Sequence, residues 1–282
     1  MKTIWLVYEQ NNIERNRFFI DQWFLAAGKQ NAQITLARYE DLTFGMKDGK
    51  AFLRHREGKT LPDAAVMRLN QPLLSFHFEK MGIPVFNSAH VANIVNDKRL
   101  THQMMSGFVP SMDTVFLRGD EEASPLPYPV VVKAVHSCGG RQVYLARNDA
   151  EFREAIKAAS PDAALVQALS DTPGRDVRVY VLGKEIVDIM MRKSEEDFRS
   201  NIGQGGSAEP YQMCESDLKL VRKIIDMFDF SLVGIDFILH KGQLMFNEIE
   251  DAVGTRILFS NGHEDIVKRY LAFVLSRLKS PV

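Results

Sequence analysis

Cysteine, an excess of charge and long hydrophobic runs are all scarce in this 282-residue sequence. Its two cysteines, Cys138 and Cys214, are too few for a disulfide framework or a cysteine-based zinc site. With 35 basic and 36 acidic residues it lacks the basic excess of a nucleic-acid-binding protein. No apolar stretch approaches membrane-spanning length, and the start MKTIWLVYEQ turns polar too soon for a signal peptide. We therefore expect a cytoplasmic protein that binds neither nucleic acid nor membrane.

Several common catalytic and nucleotide-binding motifs are also missing. There is no Gly-x-Gly-x-x-Gly fingerprint, no His-Glu-x-x-His pair and no Gly-x-Ser-x-Gly elbow. The segment EGKT at 57–60 ends like a phosphate-binding loop, but Leu53 occupies the place of its first glycine. These absences argue against dinucleotide chemistry, a zinc site and a hydrolase triad.

The order of the predicted elements divides the chain into two parts. Up to about residue 90 strands alternate with helices, as in an open and mostly parallel sheet. Beyond about residue 93, antiparallel hairpins over 176–193 and 234–250 interleave with helices, which predicts an α+β body. A helix over 96–108 is expected to be capped by Asn96 or Asp97. The chain length also favours about two domains.

An ammonium group interrupts the apolar strand in YPVVVKAVHSCGG. Val131, Lys133 and Val135 point to one side of this strand, and burying a lone ammonium is costly unless an anion pairs with it. Gly139 and Gly140 then permit positive φ, so the N–H groups of the loop are able to cradle a phosphate. A lysine that reaches solvent beside an ordinary hairpin turn is the alternative interpretation.

Three carboxylates are predicted on the hairpin over 234–250. Glu248 and Glu250 share one face of its second strand, and Asp236 lies on the first. An odd number of turn residues pairs position 236 with 248, whereas a two-residue Lys-Gly turn pairs it with 247 and disperses the acids. Acids clustered on strands buried on both faces must take up protons or hold cations, and hard oxygen ligands suit Mg²⁺. A solvated acidic edge is the alternative.

A third polar cluster begins in GRDVRVYVLG. Asp176 and Arg178 share one face of this strand, where the fork of Arg178 suits a phosphate or carboxylate. A solvent-exposed sheet face carrying an Asp–Arg pair is the alternative. The polar, glycine-rich segment over 192–207 is either a mobile loop or one that folds over a ligand. Its candidate donors are Arg192, Arg199 and Asn201.

In their order along the chain, these motifs resemble the RimK-type glutamate ligase branch of the ATP-grasp superfamily. The similarity runs from DAAVMRL to about Gly254, which is most of the chain. NDKRLTHQMM resembles the helix of the first nucleotide lysine, and PVVVKAVHSCGGRQV the strand and glycine loop that close over phosphates. GRDVRVYVLG with DFRSN…GG is the most specific match, and GIDF…NEIE resembles the two metal-bearing strands.

The resemblance implies both the fold class and its division. A Rossmann-like pre-ATP-grasp α/β domain is expected over residues 1–92, followed by an ATP-grasp domain over 93–282. The second domain is expected to have a small lobe over about 93–168 and a C-terminal lobe over about 169–282. The nucleotide would lie between two antiparallel sheets.

The resemblance further implies ATP-dependent carboxylate–amine ligation. A substrate carboxylate attacks the γ-phosphorus and releases ADP, and an amine then displaces phosphate from the acyl phosphate to form the amide. The resemblance implies two Mg²⁺ ions as cofactors, with Mn²⁺ as the alternative metal. The implied nucleotide-binding residues are Lys98, Lys133, Gly139, Gly140, Gln167, Ala168, Leu169 and Asp176. The implied metal ligands are Asp236, Glu248 and Glu250. The implied catalytic residues are Arg178, Arg192, Arg199 and Asn201.

The chain departs from the family's pattern in ways that bear on its substrates. Glu250 stands where the family usually has Asn, Ala168 replaces an acid at the adenine hinge, and the loop lacks alternating glycines. Arg256 is an unusual base near the expected acceptor site. We therefore expect this chain to act on amino-acid or peptide substrates that differ from those of the glutamate ligases. Both a monomer and a homo-oligomer are compatible with the sequence. The competing hypotheses are a phosphotransferase acting on a hydroxyl and a regulatory module that binds ATP without turnover.

Overall fold

The computed structural model describes residues 1–137, 139–195, 197–200 and 206–278. The elements of its first part are β1 (Lys2–Tyr8), α1 (Gln10–Ile13), α2 (Arg17–Lys29), β2 (Ala32–Arg38), β3 (Leu42–Lys47), β4 (Lys50–His55), β5 (Ala64–Met67), α3 (Pro72–Lys80), β6 (Val85–Phe86) and α4 (Ala89–Val95). Four strands form a parallel sheet in the order β2-β1-β5-β6. Residues 4–8 of β1 are buried because the chain covers both faces of the sheet. This agrees with the predicted alternation of strands and helices, which is typical of parallel sheets covered on both faces.

A small antiparallel sheet follows. Its part of the chain contains α5 (Lys98–Met105), β7 (Thr114–Phe116), β8 (Val130–Ala134), β9 (Val143–Ala146), α6 (Asp149–Ala159) and β10 (Ala164–Ala168). The sheet order is β7-β10-β8-β9, and the apolar side of α6 packs on it through Phe152, Ala155 and Ala159. The Asp97 carboxylate caps α5 by accepting from the amides of Arg99 and Leu100.

A second, larger antiparallel sheet forms the C-terminal lobe. Its elements are β11 (Arg175–Leu182), β12 (Glu185–Lys193), β13 (Ser207–Pro210), α7 (Glu215–Met227), β14 (Leu232–His240), β15 (Gln243–Glu250), α8 (Arg256–Ser260) and α9 (Ile266–Arg277). The strand order is β13-β12-β11-β14-β15, which makes β15 an edge strand. The β11–β12 hairpin, predicted over 176–193, turns at Gly183-Lys184. Helix α7 packs against one face through Val221, Ile224 and Ile225.

The first and last parts of the chain share one hydrophobic core. Trp23 of α2 meets Tyr270 of α9 edge to face at a centroid distance of 5.2 Å, and Leu258 of α8 joins the same cluster. The expected α/β sheet followed by two antiparallel sheets is confirmed. The expected boundary at residue 92 falls inside α4, and the division into domains stays a prediction.

Some elements differ from the sequence-based expectation. The roughly helical spacing of Phe18, Phe19, Trp23 and Leu25 predicts one helix over 13–30, but α2 begins only at Arg17, after a separate helical turn over 14–16. The β3–β4 hairpin was not expected, although its Asp48-Gly49 turn carries the positive φ values that this dipeptide favours. Helices α4 and α8 and the short strands β7 and β13 were also missed, because elements this short carry little periodicity. In the described part of the chain, no helix has the length and apolarity needed to cross a membrane.

Candidate active site

A cleft between the two antiparallel sheets gathers residues from distant parts of the sequence. It encloses about 750 Å³ of space, its open mouth included. The predicted site residues that line it are Lys98, Lys133, Gly140, Gln167, Ala168, Leu169, Asp176, Arg192, Arg199 and Glu248. The tertiary structure therefore places the two lysines, one end of the acidic cluster and the glycine loop around one space.

Lys133 reaches across the cleft from β8 to β15. Its Nζ donates to Gln167 Oε1 at 2.8 Å and to Asn247 Oδ1 at 2.6 Å. Burial lowers the pKa of this ammonium to about 8, although the charge of Glu248 opposes the shift. The lysine therefore does not snorkel to solvent, and both hydrogen-bond acceptors that it uses are neutral amides.

Lys98 enters the cleft from the first turn of α5. Its Nζ donates to the Ser137 carbonyl and lies 3.6 Å from Glu248 Oε2, so the helix, the loop and β15 meet at this ammonium. The loop then turns through Gly139 and Gly140, whose φ values of 64° and 71° suit glycine. Arg199 donates to the Gly140 carbonyl at 3.0 Å, while its main ion pair is with Asp197.

Two buried arginines tie the strands of the C-terminal lobe together. Arg178 forms a bidentate pair with Asp236, with contacts of 2.7 and 2.6 Å, and its Nη1 lies 2.9 Å from Glu250. Arg192 donates to Asp176 at 2.6 Å and to Asp236 at 2.8 Å. The exposed sheet face considered for β11 is therefore wrong, since Asp176 and Arg178 are buried in a charge-compensated network.

The register of the β14–β15 hairpin decides where the carboxylates lie. The turn has two residues, Lys241 and Gly242, yet a bulge next to Asp236 places that residue opposite Glu248. Glu250 lies opposite Gly234. The prediction that a two-residue turn separates the three acids is therefore wrong. The bulge inserts one extra residue into β15, which shifts the pairing of Asp236 from position 247 to position 248.

The carboxylates of Asp236, Glu248 and Glu250 form a compact group of oxygen ligands. One oxygen from each lies within 4.8 Å of the others, and Asp236 is fully buried. Burial raises the pKa of Glu248, and the nearby acids add to this effect while Lys98 opposes it. Burial also opposes ionisation of Asp236, but Arg178 and Arg192 hold its pKa below the ordinary value. The donor set fits a hard divalent cation such as Mg²⁺.

The remaining predicted residues occupy different places. Arg178, Asp236 and Glu250 are not among the described residues that line the cleft, and they form an ion-pair network with one another. Gly139 lies on the exposed part of the loop. Arg256 is exposed at the start of α8. Asn201 lies outside the described residues.

Several residues of the site were not predicted from the sequence. Asn247 at the bulge accepts from Lys133, and the Thr114 hydroxyl accepts from Gln167 Nε2 at 3.0 Å. Gly234 leaves room for two neighbouring side chains, because a Cβ there would lie 2.7 Å from Val253 Cγ2 and 3.3 Å from Arg178 Cδ and Nε. Strand alternation assigns Asn247 to the face opposite Glu248, so the pattern carried no signal for it.

His102 lies behind the two lysines. It is buried on α5, packs edge to face on Phe246, and neither ring nitrogen has a hydrogen-bond partner among the described residues. Burial, and then the charges of Lys133 and Lys98, lower its pKa to about 4. This side chain is therefore neutral at pH 7 and acts as an aromatic packing residue.

Comparison with known proteins gives a family match and distant relatives. The RimK-like ATP-grasp domain profile matches residues 119–274, more than half of the chain. N-acetylaspartylglutamate synthase A of Homo sapiens is 28% identical over 216 residues, 69% of this chain and 55% of that protein. A probable alpha-L-glutamate ligase of Histophilus somni is 25% identical over 212 residues, 72% of this chain and 71% of the ligase. The chain thus spans about half the length of the first relative.

A solved structure extends the comparison to the fold. The RimK domain protein ATP-grasp from Sphaerobacter thermophilus superposes with a TM-score of 0.72 at 19% identity. The match covers 97% of this chain and 99% of that one. At this identity the likeness concerns the fold, and it includes the parallel sheet as well as the two antiparallel sheets.

Proposed function

This chain belongs to the RimK-like ATP-grasp family, and we propose that it is an ATP-dependent carboxylate–amine ligase that forms an amide or peptide bond through an acyl phosphate. We propose that the substrate that supplies the carboxylate and the substrate that supplies the amine are each an amino acid or a peptide. The observation that supports this most directly is the single cleft that joins Lys98, Lys133, the glycine loop and Glu248. We also propose the division into residues 1–92 and 93–282, with lobes over about 93–168 and 169–282.

The proposed nucleotide site uses the wall formed by α5, β8 and β10. Lys98 and Lys133 would pair with phosphate oxygens, and Gly139 and Gly140 would lie over the β- and γ-phosphates. Adenine would meet Gln167, Ala168 and Leu169, and the ribose would lie near Asp176. Because Lys133 is held by two neutral amides, an incoming phosphate offers it a better partner than the ones it has.

The proposed chemistry uses the opposite wall. Asp236, Glu248 and Glu250 would hold Mg²⁺, proposed as two ions, or Mn²⁺. When bound, the metal would neutralise charge that develops on the transferred phosphoryl group. Arg178 and Arg192, fixed in orientation by their carboxylates, would present guanidinium groups to the oxyanions of both steps. Arg199 and Asn201, which follow β12 in the sequence, are proposed as further donors.

Glu248→Gln tests the metal assignment. The substitution keeps the side-chain shape but removes a charge from the oxygen cluster, so we expect kcat to fall at least about hundredfold while the fold is retained. Production of ADP in the presence of Mg²⁺ and pairs of amino acids or peptides is the measurement, with circular dichroism as the check on folding. Glu154→Gln, on the exposed side of α6, is the matched control and should retain full activity.

The products decide between this proposal and its competitors. Mass spectrometry should show an amide formed in step with ADP and phosphate release. A stable phosphorylated product would instead identify a phosphotransferase. Tight nucleotide and metal binding without amine- or carboxylate-stimulated hydrolysis would contradict ligase activity, and full activity of Glu248→Gln would contradict the metal assignment.

A further inference from the structure

The ends of the β14–β15 hairpin are held by side chains from the first 96 residues of the chain. Asn87, which is only 2% exposed, contacts both ends at once. Its Nδ2 donates to the carbonyls of Leu232 at 3.3 Å and Asp251 at 3.1 Å, and its Oδ1 accepts from the Ser231 amide at 2.6 Å. One amide group therefore joins the start of β14 to the residue that follows β15.

Two more side chains hold the same end of β15. Arg68 Nη2 donates to the Val253 carbonyl at 2.7 Å and to the Ala252 carbonyl at 3.3 Å. Asn96 Nδ2 donates to the Asp251 carboxylate at 3.0 Å. We call Arg68, Asn87 and Asn96 the hairpin clamp.

The position of the hairpin depends on this clamp for a topological reason. The edge strand β15 carries Glu248 and Glu250 and pairs with one strand, β14. Along its other edge, the described residues form with β15 an isolated β-bridge between Ser111 and Phe246. Glu250 is directly followed by Asp251, so the clamp acts one residue away from a proposed metal ligand.

We propose that Asn87, supported by Arg68 and Asn96, is a positioning residue that sets the place of the metal-binding carboxylates. The inference rests on the proposed function. Oxygen ligands serve Mg²⁺ well only within narrow distance and angle limits, so a displacement of the hairpin end weakens the metal site before it unfolds the protein. The first part of the chain thereby becomes necessary for the geometry of a site whose proposed ligands all lie beyond residue 235.

The test compares Asn87→Ala with a neighbouring control, Ser88→Ala. The control removes the Ser88 hydroxyl that accepts from the Val91 amide at the start of α4, and it leaves the hairpin untouched. Mn²⁺ binding to the full chain with a non-hydrolysable ATP analogue is measured by electron paramagnetic resonance. We expect the Mn²⁺ dissociation constant to rise about tenfold in Asn87→Ala and to stay unchanged in Ser88→Ala. Loss of a side chain that orients metal ligands weakens metal binding by about 10–100-fold, and Asn87 acts through the backbone next to Glu250, which places its effect at the lower end.

Hydrogen exchange over residues 244–253 provides a readout independent of metal binding. These amides should exchange faster in Asn87→Ala than in the wild type, and at the wild-type rate in Ser88→Ala. Asn96→Ala changes a half-buried side chain, so it serves if Asn87→Ala does not fold, and about a threefold weaker Mn²⁺ affinity is expected. Equal Mn²⁺ constants and equal exchange in the clamp and control variants would overturn the proposal. A wild-type chain that binds no Mn²⁺ would refute the proposed function, while the exchange data would still decide whether the clamp holds the hairpin.

Discussion

The C-lobe wall and the small-lobe wall of the cleft differ in how their charged side chains are held. On the C-lobe wall, Arg178 and Arg192 are paired charge to charge with Asp236 and neighbouring carboxylates. On the small-lobe wall, Lys133 donates to two neutral amides. Lys98 donates to a backbone carbonyl, and its ion pair with Glu248 on the opposite wall is long, at 3.6 Å. A wall that keeps its own counter-charges is fixed in geometry, whereas cations held by neutral acceptors are ready to exchange them for phosphate oxygens.

Asp236→Asn should break the fixed wall and have the largest effect. Two buried guanidinium groups would lose the shared carboxylate, and loss of one partner from a buried ion pair costs about 3–5 kcal/mol of unfolding free energy. Urea unfolding measures the loss. Asp197→Asn is the control, because its pair with Arg199 is one-quarter exposed and should contribute within about 1 kcal/mol. Equal losses in the two variants would contradict the contrast.

His102→Leu tests the small-lobe wall through pH. The unfolded chain binds a proton on this histidine near pH 6.5, but the folded chain binds it only near pH 4. Stability present above pH 6.5 is therefore lost as the pH falls towards 4, and the leucine variant escapes this loss. Between pH 7 and pH 4 its unfolding free energy should gain about 3 kcal/mol relative to the wild type.

Urea unfolding at a series of pH values makes this measurement. Asp251, whose pKa is raised to about 6 by burial, changes stability in the opposite direction, but it is present in both proteins and cancels in the difference. If the unfolding free energies of the wild type and His102→Leu change in parallel with pH, His102 is not buried in its neutral form.

Two glycine substitutions, one before β11 and one in the glycine loop of the small lobe, test the same comparison with smaller expected losses of unfolding free energy. Gly174→Ala should lose about 2 kcal/mol, because its φ is +76° and a Cβ would lie 2.6 Å from the Ser194 carbonyl oxygen. Gly139→Ala should lose about 1 kcal/mol, since its φ of +64° is strained for alanine but, apart from its chain neighbours, no atom of the described residues lies within 4 Å of the added carbon. Thermal unfolding compares the two variants, and an equal or larger loss at Gly139 would show that its loop is the more rigid one.

Much of the architecture was predictable because it rests on local patterns. Short, nearly continuous apolar runs predict β1 and β14, and Asn96 or Asp97 predicts the start of α5. The spacing of two between Glu248 and Glu250 places both on one strand, and the lysine in the valine run predicts a charged group that needs a partner. These features depend on residues only a few positions apart.

The partners of the buried charges were not predictable in the same way. Asp176 and Arg178 were candidates for a pair on one strand, yet each pairs with the residue opposite it on a neighbouring strand, Arg192 and Asp236 respectively. The alternation of side chains says which face a residue occupies, but the identity of its cross-strand neighbour depends on sheet order. Sheet order in turn depends on the packing of the whole lobe.

The sequence by itself therefore determined most of the strands and helices, the kinds of charged group and their resemblance to one family. Only the tertiary structure decided that a bulge at Asn247 brings Asp236 opposite Glu248, and that Asn87 holds both ends of that hairpin. The physical reason is that periodicity is a property of neighbouring residues. The register of the hairpin depends instead on a bulge within the folded sheet, and the clamp joins Asn87 to residues more than a hundred positions away through contacts formed only in the packed chain.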